Sequence, residues 1–437
     1  MFNNTGYASM HSMPVTLRWL VGAGLFLCVI SATATPSGWG KTSEPAAPLS
    51  LQAAIELTLR ASPEASAAQL EVDAFEGVIL QAKAHPNPEI SAFMEDTRSA
   101  TRITTLQINQ AIEMGGKREA RMGAAAKSLD VATVELASKR AEIRATVVTS
   151  FFDVLIAQER WQLAKSLTEL SHRASDAAKR RVLAGKVSPV EEVKAKVAEA
   201  NVRIDLSQAE SELSSARQRL TAMWGNPIPQ FAKAMGDIES LPALPEMTYF
   251  QARLTNAPLM QRARAEIEHR QSLAELEKRR GVPDLTVSLG ARRNEELGLN
   301  QAIIGISIPL QVFDRNQGNL LEAIRRTDKA RDELTATEFR LSSELAQNHE
   351  RLSTSRHEVE TLRQDIMPGA ISAFEATARG FELGKFNFLD VLDAQRTLFQ
   401  ARSQYLRALA EAHRSAASLE RILGVVDATA SDASTQP

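Results

Sequence analysis

Several things that most folds rely on are scarce in this chain of 437 residues. It has one cysteine, Cys28, which lies inside an apolar run near the N-terminus. Lipoprotein processing needs a small residue directly before the cysteine, and Leu27 stands there. Cys28 is therefore expected to leave with a signal peptide, so the mature chain has no thiol, and disulfides, cysteine metal sites and a cysteine nucleophile are excluded. Aromatic residues make up only 5%, so bulky core formers are few and the composition suits long helices packed on alanine and leucine. No stretch reaches the ~18 apolar residues of a membrane-spanning helix, so any insertion into lipid must use strands. The formal net charge of -2 leaves no basic excess for nucleic acid.

At the N-terminus, Arg18 precedes the apolar residues 19–30, and small residues with "ATA" at 32–34 follow. This is the layout of a secretory signal peptide, residues 1–34, cleaved after Ala34.

The rest is a duplication, and a long-period repeat is the first thing to test for in a chain of this kind. At an offset of 199, residues 180–225 align with 379–424 without a gap, pairing Arg180/Arg379, Gly185/Gly384, Lys186/Lys385, Ala195/Ala394, Arg203/Arg402, Glu212/Glu411, Leu220/Leu419 and Gly225/Gly424. At an offset of 195, Leu59/Leu254, Pro63/Pro258 and Pro88/Pro283 also match. Repeat 1 covers 35–225 and repeat 2 covers 248–424, with a Pro-rich linker at 226–247 and a flexible tail at 425–437. Each repeat is expected to hold a helix, two strands, a very long helix and another helix. The expected bounds are strands at 88–97 and 102–112, then helices at 117–183 and 188–225. In the second repeat they are strands at 284–293 and 301–311, then helices at 316–382 and 387–424.

In the strands, Leu285, Val287, Leu289 and Ala291 alternate with polar or small residues, as do Ile304, Ile306, Ile308 and Leu310, while Ile90, Ala92 and Met94 share a face in the first repeat. Strands of this length with one apolar side suit a transmembrane barrel. Four cannot close one, because about eight is the smallest closed size and open edges are not tolerated in lipid. A homotrimer would supply twelve.

The fold class expected is thus mainly α with a small β part: long coiled-coil helices and four transmembrane strands per chain. Leu334, Leu341, Leu345, Leu352, Val359, Leu362 and Ile366 form a coiled-coil seam. Each long helix is about 100 Å at 1.5 Å per residue, and "IMPGA" at 366–370 should kink or interrupt the second.

Where each long helix ends, "GKVSPVEE" offers Ser188 as N-cap, Pro189 at the first helical position and Glu191 three residues after the cap, the order of a capping box. Its repeat partner offers Asn387 with Asp390. Asp393 has Lys194 as its counterpart, so no shared structural need accounts for it. It is either solvated surface or, in a threefold assembly, one member of an acidic ring that favours cations, with Asp390 nearby.

Enzyme chemistry finds little support. The seven histidines form no His-x-x-x-His pair, and there is no P-loop, dinucleotide fingerprint or Gly-x-Ser-x-Gly. No catalytic residue, cofactor or metal site is assigned.

The phrases "HPNPEISAFMEDTRS", "QINQAIEMGGKREAR", "FFDVLIAQER", "SIPLQVFDRNQGNLLEA" and "GKFNFLDVLDAQRTL" together resemble the TolC-type outer-membrane efflux family, in its cobalt-zinc-cadmium (CzcC-like) heavy-metal resistance branch. The resemblance implies a trimeric tunnel: a twelve-stranded barrel in the outer membrane and a helical barrel through the periplasm, with a closed iris at the tip. It also implies two partners, a periplasmic adaptor and an inner-membrane RND-type proton-driven pump. It carries the tip onto Gly384, Asp390 and Asp393, with Phe381 as gate aromatic; Phe386 stands where relatives can carry a basic latch residue. The rival readings are a duct for drugs or secreted polypeptides and, from another class, a periplasmic coiled-coil adaptor with a single hairpin.

Overall fold

The computed structural model describes residues 48–424; the signal peptide with Cys28 and the tail at 425–437 lie outside them. Repeat 1 opens with strand β1 (Leu49–Ser50) and helices α1 (Leu51–Ala61) and α2 (Pro63–Lys83). The chain up to the first strand pair thus holds two helices where one was expected. Ser62 closes α1 and caps α2, its hydroxyl accepting from the Ala65 amide, and Pro63 occupies the first turn, where a missing N–H costs nothing. Strands β2 (Glu89–Glu95) and β3 (Ile103–Ile112) follow, then α3 (Lys117–Leu183), 67 residues without a break, and α4 (Pro189–Ala222).

The linker contributes β4 (Ala234–Met235). Repeat 2 then runs through α5 (Met247–Leu254), α6 (Pro258–Arg280), β5 (Leu285–Asn294), β6 (Leu299–Ser307), α7 (Gln317–Thr361), a π-helical turn (Leu362–Ile366), α8 (Met367–Glu382) and α9 (Phe388–Leu423). The helix expected at 316–382 is therefore interrupted ahead of Pro368. Proline has no N–H to give residue 364, and its ring crowds that carbonyl. The preceding turn widens, and Met367 bonds back five residues to Leu362. The extra residue rotates Ile366 out of the seam, leaving it 44% exposed, whereas Leu341, Leu345, Leu352, Val359 and Leu362 are buried.

The four longer strands form one antiparallel sheet in the order β2-β3-β5-β6. Its register places Ile90, Ile108, Leu289 and Ile304 in one row across the sheet, and Ala92, Leu106, Ala291 and Ala302 in the next. One face is thus apolar over all four strands, and it is bare: Ile304 is 78% exposed and Ile90 71%. The other carries Ser91, Asn109, Ser288 and Gly305. β6 begins earlier than expected, at Leu299, where Gly298, at φ +64, turns β5 back into it, and it ends earlier, at Ser307, because Pro309 cannot donate to a ladder. The outer edges of β2 and β6 are unpaired among the described strands.

The helices that carry the sheet stand in the same order, with α2 on α3, α3 on α6 and α6 on α7. The largest core gathers Phe151, Val154, Leu220, Trp224 and Phe231 around α1 and β4, and a second gathers Leu341, Leu345, Leu352, Phe250 and Ile422. No described helix is long and apolar enough to cross a membrane.

Candidate functional site at the paired helical turns

Each long hairpin reverses through the same turn. After α3, the Lys186 amide bonds to the Arg181 carbonyl (2.9 Å) and Gly185 N–H to Val182 (2.9 Å). After α8, Lys385 bonds to Gly380 (2.8 Å) and Gly384 to Phe381 (3.0 Å). Both are Schellman closures, and both need a left-handed residue, supplied by Gly185 at φ +68 and Gly384 at φ +76.

The caps differ. Asn387 and Asp390 form a complete capping box: the Asp390 amide donates to Asn387 Oδ1 and the Asn387 amide to Asp390 Oδ2, each at 3.0 Å. At the first turn the box expected from Ser188 and Glu191 is open. The Glu191 amide is taken by the Ser188 backbone carbonyl (2.9 Å), so the Ser188 hydroxyl accepts from Val190 N–H instead (3.4 Å). Replacing Asn387 with alanine should accordingly destabilise the second turn by about 1 kcal/mol, and Ser188→Ala should do less; thermal unfolding of both variants in detergent checks the order.

Asp390 is half-buried by its cap and Asp393, one turn on, is exposed. Phe381, the expected gate aromatic, is only 6% exposed and packs with Ala178, Ala195 and Val391 from α3, α4 and α9. A side chain enclosed in this way joins the two hairpins. Over its ring, 4.8 Å from the centroid, stands the guanidinium of Arg181 from α3, a distance at which a cation is attracted by the ring's negative face. Phe386 lies against Gly380 so closely that a Cβ there would sit 2.1 Å from its ring. Neither Arg181 nor Gly380 was singled out from sequence. The signal was present in the alignment, since these two are repeat counterparts and one repeat has the cation where the other has the gap that receives Phe386.

One arrangement away from the tip looks catalytic. Ser128 Oγ lies 3.0 Å from His269 Nε2, and Glu266 lies 3.7 Å from His269 Nδ1. The Ser128 hydroxyl, however, donates to the Ala124 carbonyl (3.0 Å), so it accepts from the imidazole. That imidazole nitrogen then carries the proton and cannot act as a general base. Burial also pushes His269 below its usual pKa, which favours the neutral donor. Among the described residues no group of three or more His, Cys, Asp or Glu side chains could hold a metal ion.

One long helical hairpin with one strand pair, repeated twice in one chain so that the strands join into a single sheet, is a two-repeat architecture of a recognisable class. The chain belongs to the outer membrane efflux protein family, whose model matches residues 54–226 and 250–425, one repeat each. It is 51% identical to the cobalt-zinc-cadmium resistance protein CzcC of Cupriavidus metallidurans over 87% of this chain and 91% of that one. It is 25% identical to the nickel-cobalt-cadmium resistance protein NccC of Alcaligenes xylosoxydans xylosoxydans over 58% and 59%. Its fold matches the outer-membrane protein VceC of Vibrio cholerae (TM-score 0.70, 18% identity, 86% of this chain and 96% of that one). It also matches the open state of the outer-membrane channel MtrE of Neisseria gonorrhoeae (TM-score 0.71, 17% identity, 86% and 88%).

Proposed function

We propose that this protein is the outer-membrane channel of a tripartite efflux system that exports divalent heavy-metal cations of the cobalt, zinc, cadmium or nickel class from the periplasm to the exterior. The observation that carries this reading is the 51% identity, over nearly the full length, to a protein named for cobalt, zinc and cadmium resistance. The chain works as a homotrimer, because a four-stranded sheet with two unpaired edges and one apolar face needs further strands before lipid can surround it. The apolar face meets outer-membrane lipid, and the paired turns meet a periplasmic adaptor and, through it, an RND-type proton-driven pump. No reaction is catalysed. At the turns, Asp393, with Asp390 behind it, lines the constriction and attracts cations, while Gly384 shapes the turn. The seat of Phe381 within the hairpin contacts supports a fastening role for it rather than a gating one.

The test is complementation. A host that carries the cognate adaptor and pump but lacks this chain should accumulate the metal, and restoring the chain should return growth in that metal with no change in drug tolerance. Restored tolerance to drugs instead of metals would favour a general duct and overturn the metal assignment.

A further inference from the structure

The apolar face of the sheet is short for a membrane. From Ala291 to Leu285 it runs about 20 Å along β5 at 3.3 Å per residue, or about 15 Å of depth once the tilt of a barrel strand is taken out. An outer-membrane barrel presents an apolar band of about 25 Å. At the turn end the face stops, because the next row across the sheet holds Thr104, Arg293 and Asn300. It can be extended only toward the helices, and there the chain leaves β6 through an exposed apolar loop. The alternation of Ile304 and Ile306 runs on through Ile308 to Leu310, which is 85% exposed, and beyond Val312 stands Phe313, 92% exposed. This loop is held in place. The Val312 amide bonds to the Leu310 carbonyl (3.0 Å), the Gln317 side chain to the Phe313 carbonyl (3.2 Å), and Asn316 Nδ2 to the carbonyl and carboxylate of Glu277 at the end of α6 (2.7 and 2.8 Å). Just past α6, a Cβ on Gly281 would sit 3.1 Å from the Arg315 carbonyl oxygen. The exposed residues Arg279 and Arg280 that end α6 therefore stand beside Arg315.

We propose that the foot of β6 and the end of α6 form a binding site for an anionic phospholipid of the periplasmic leaflet. Leu310, Val312 and Phe313 enter its acyl region, and Arg279, Arg280 and Arg315 hold its phosphodiester. The order, apolar and then cationic going away from the sheet, is that of the lipid itself from tail to head. An aromatic ring suits the boundary between the two, and the arginine fork matches phosphate oxygens. Arg279 and Arg280 are paired at 2.6 Å with Glu275 and Glu277 of their own helix, and Asp314 takes the Asn316 amide. With Lys278 beside them the cations still outnumber these three carboxylates, and ion pairs so exposed are weak enough to yield to a phosphate. The repeat argues in the same direction. The N-caps Gly116 and Asn316 are both left-handed, and they set Phe313 opposite Glu113 and Arg315 opposite Gly115. At the offset of 195, Arg279 and Arg280 stand opposite Ala84 and His85. The ring and the arginines thus belong to the second repeat alone, and the shared fold does not account for them.

The site rests on the outer-membrane channel reading, and the two can fail separately. The purified full-length protein is placed in vesicles of phosphatidylcholine and phosphatidylglycerol whose chains carry bromine near the head group. Relative to unbrominated vesicles, Phe313→Trp should lose fluorescence beyond any loss seen in the unaltered protein. Phe339→Trp, also exposed but about 33 Å along α7 from its start, should not. By native mass spectrometry the protein should retain phosphatidylglycerol over phosphatidylcholine, and Arg279→Gln with Arg280→Gln should cut that preference about fivefold for each arginine. Inorganic phosphate in the buffer should not displace the lipid. Absence of quenching at 313 overturns the site, and if Phe313→Ser then fails to form trimers, a neighbouring copy covers the loop instead. An unchanged preference in the double variant, or displacement by inorganic phosphate, overturns the head-group assignment. If the double variant does not assemble, Arg280→Gln alone is read in the same way, with an unchanged preference again the overturning result. Quenching and head-group preference in a protein that passes no ions across planar bilayers leave the site standing and overturn the channel reading, whereas ion conduction without quenching does the reverse.

Discussion

Gly290→Val should leave no functional channel. Gly290 sits in β5 opposite Gln107 of β3 and Ile303 of β6, in the middle of the sheet. A Cβ there would lie 2.5 Å from the Leu106 carbonyl oxygen and 3.0 Å from Gln107 Cβ. The obstruction is backbone in a hydrogen-bonded ladder, which cannot turn aside as a side chain can. The penalty should exceed the roughly 1–3 kcal/mol of ordinary overpacking, and it falls on the strand pair that joins the two repeats. Membrane fractions should contain little or no trimer by non-reducing, unheated gel electrophoresis, and metal tolerance should drop to that of cells lacking the chain. By contrast Gly305→Ala, where the nearest atom to a Cβ is Ser288 Cβ at 3.5 Å, should assemble normally. Normal assembly of Gly290→Val would show that the β3–β5 pairing is not as close as described.

Asp393→Lys should reverse the ion preference of the pore. Asp393 is exposed at the second turn, while its neighbour Asp390 is engaged by the Asn387 cap, so the free carboxylate is the one that can act on a passing ion. In the proposed trimer a single substitution exchanges every copy of that carboxylate for an ammonium in a narrow passage, where like-charged groups act together on the permeating ion. The cation-to-anion permeability ratio, read from reversal potentials across a salt gradient, should fall from above one to below one. Asp393→Asn should lie between, and block by multivalent cations should weaken in both. An unchanged ratio in Asp393→Lys would remove this residue from the pore.

Much of the fold could be read from the residues because its signals are periodic. The alternation through Leu285, Val287, Leu289 and Ala291 identifies one face of β5, and the register sets that face beside Ile304 and Ile306 of the neighbouring strand. The leucine seam of the second long helix follows from spacing alone and holds as far as Leu362. It fails at Ile366, since a π turn adds a residue that no heptad count anticipates. At the tip, the Asn387–Asp390 box could be read from its spacing. Ser188 and Glu191 have the same spacing and do not close, because a backbone carbonyl wins the amide first. Contacts that cross between repeats left no local signal. Arg181 and Phe381 lie far apart along the chain and meet only when the hairpins pack. The linker's fastenings, His413 to the Ile238 carbonyl and His349 to the Pro245 carbonyl, are hidden for another reason: their acceptors are backbone carbonyls, which every residue has, so a histidine bound to one looks like any other histidine.

In the proposed trimer the β6 edge of one copy would meet the β2 edge of the next, since both are unpaired among the described strands, and such a ring forms only when every junction is sound. Damage in a ring of this kind is shared between chains. If sound and edge-defective copies were made in equal amounts and assembled at random into trimers, about one ring in eight would be free of the defect. A faulty allele would then act dominantly, silencing most of the channels built beside it.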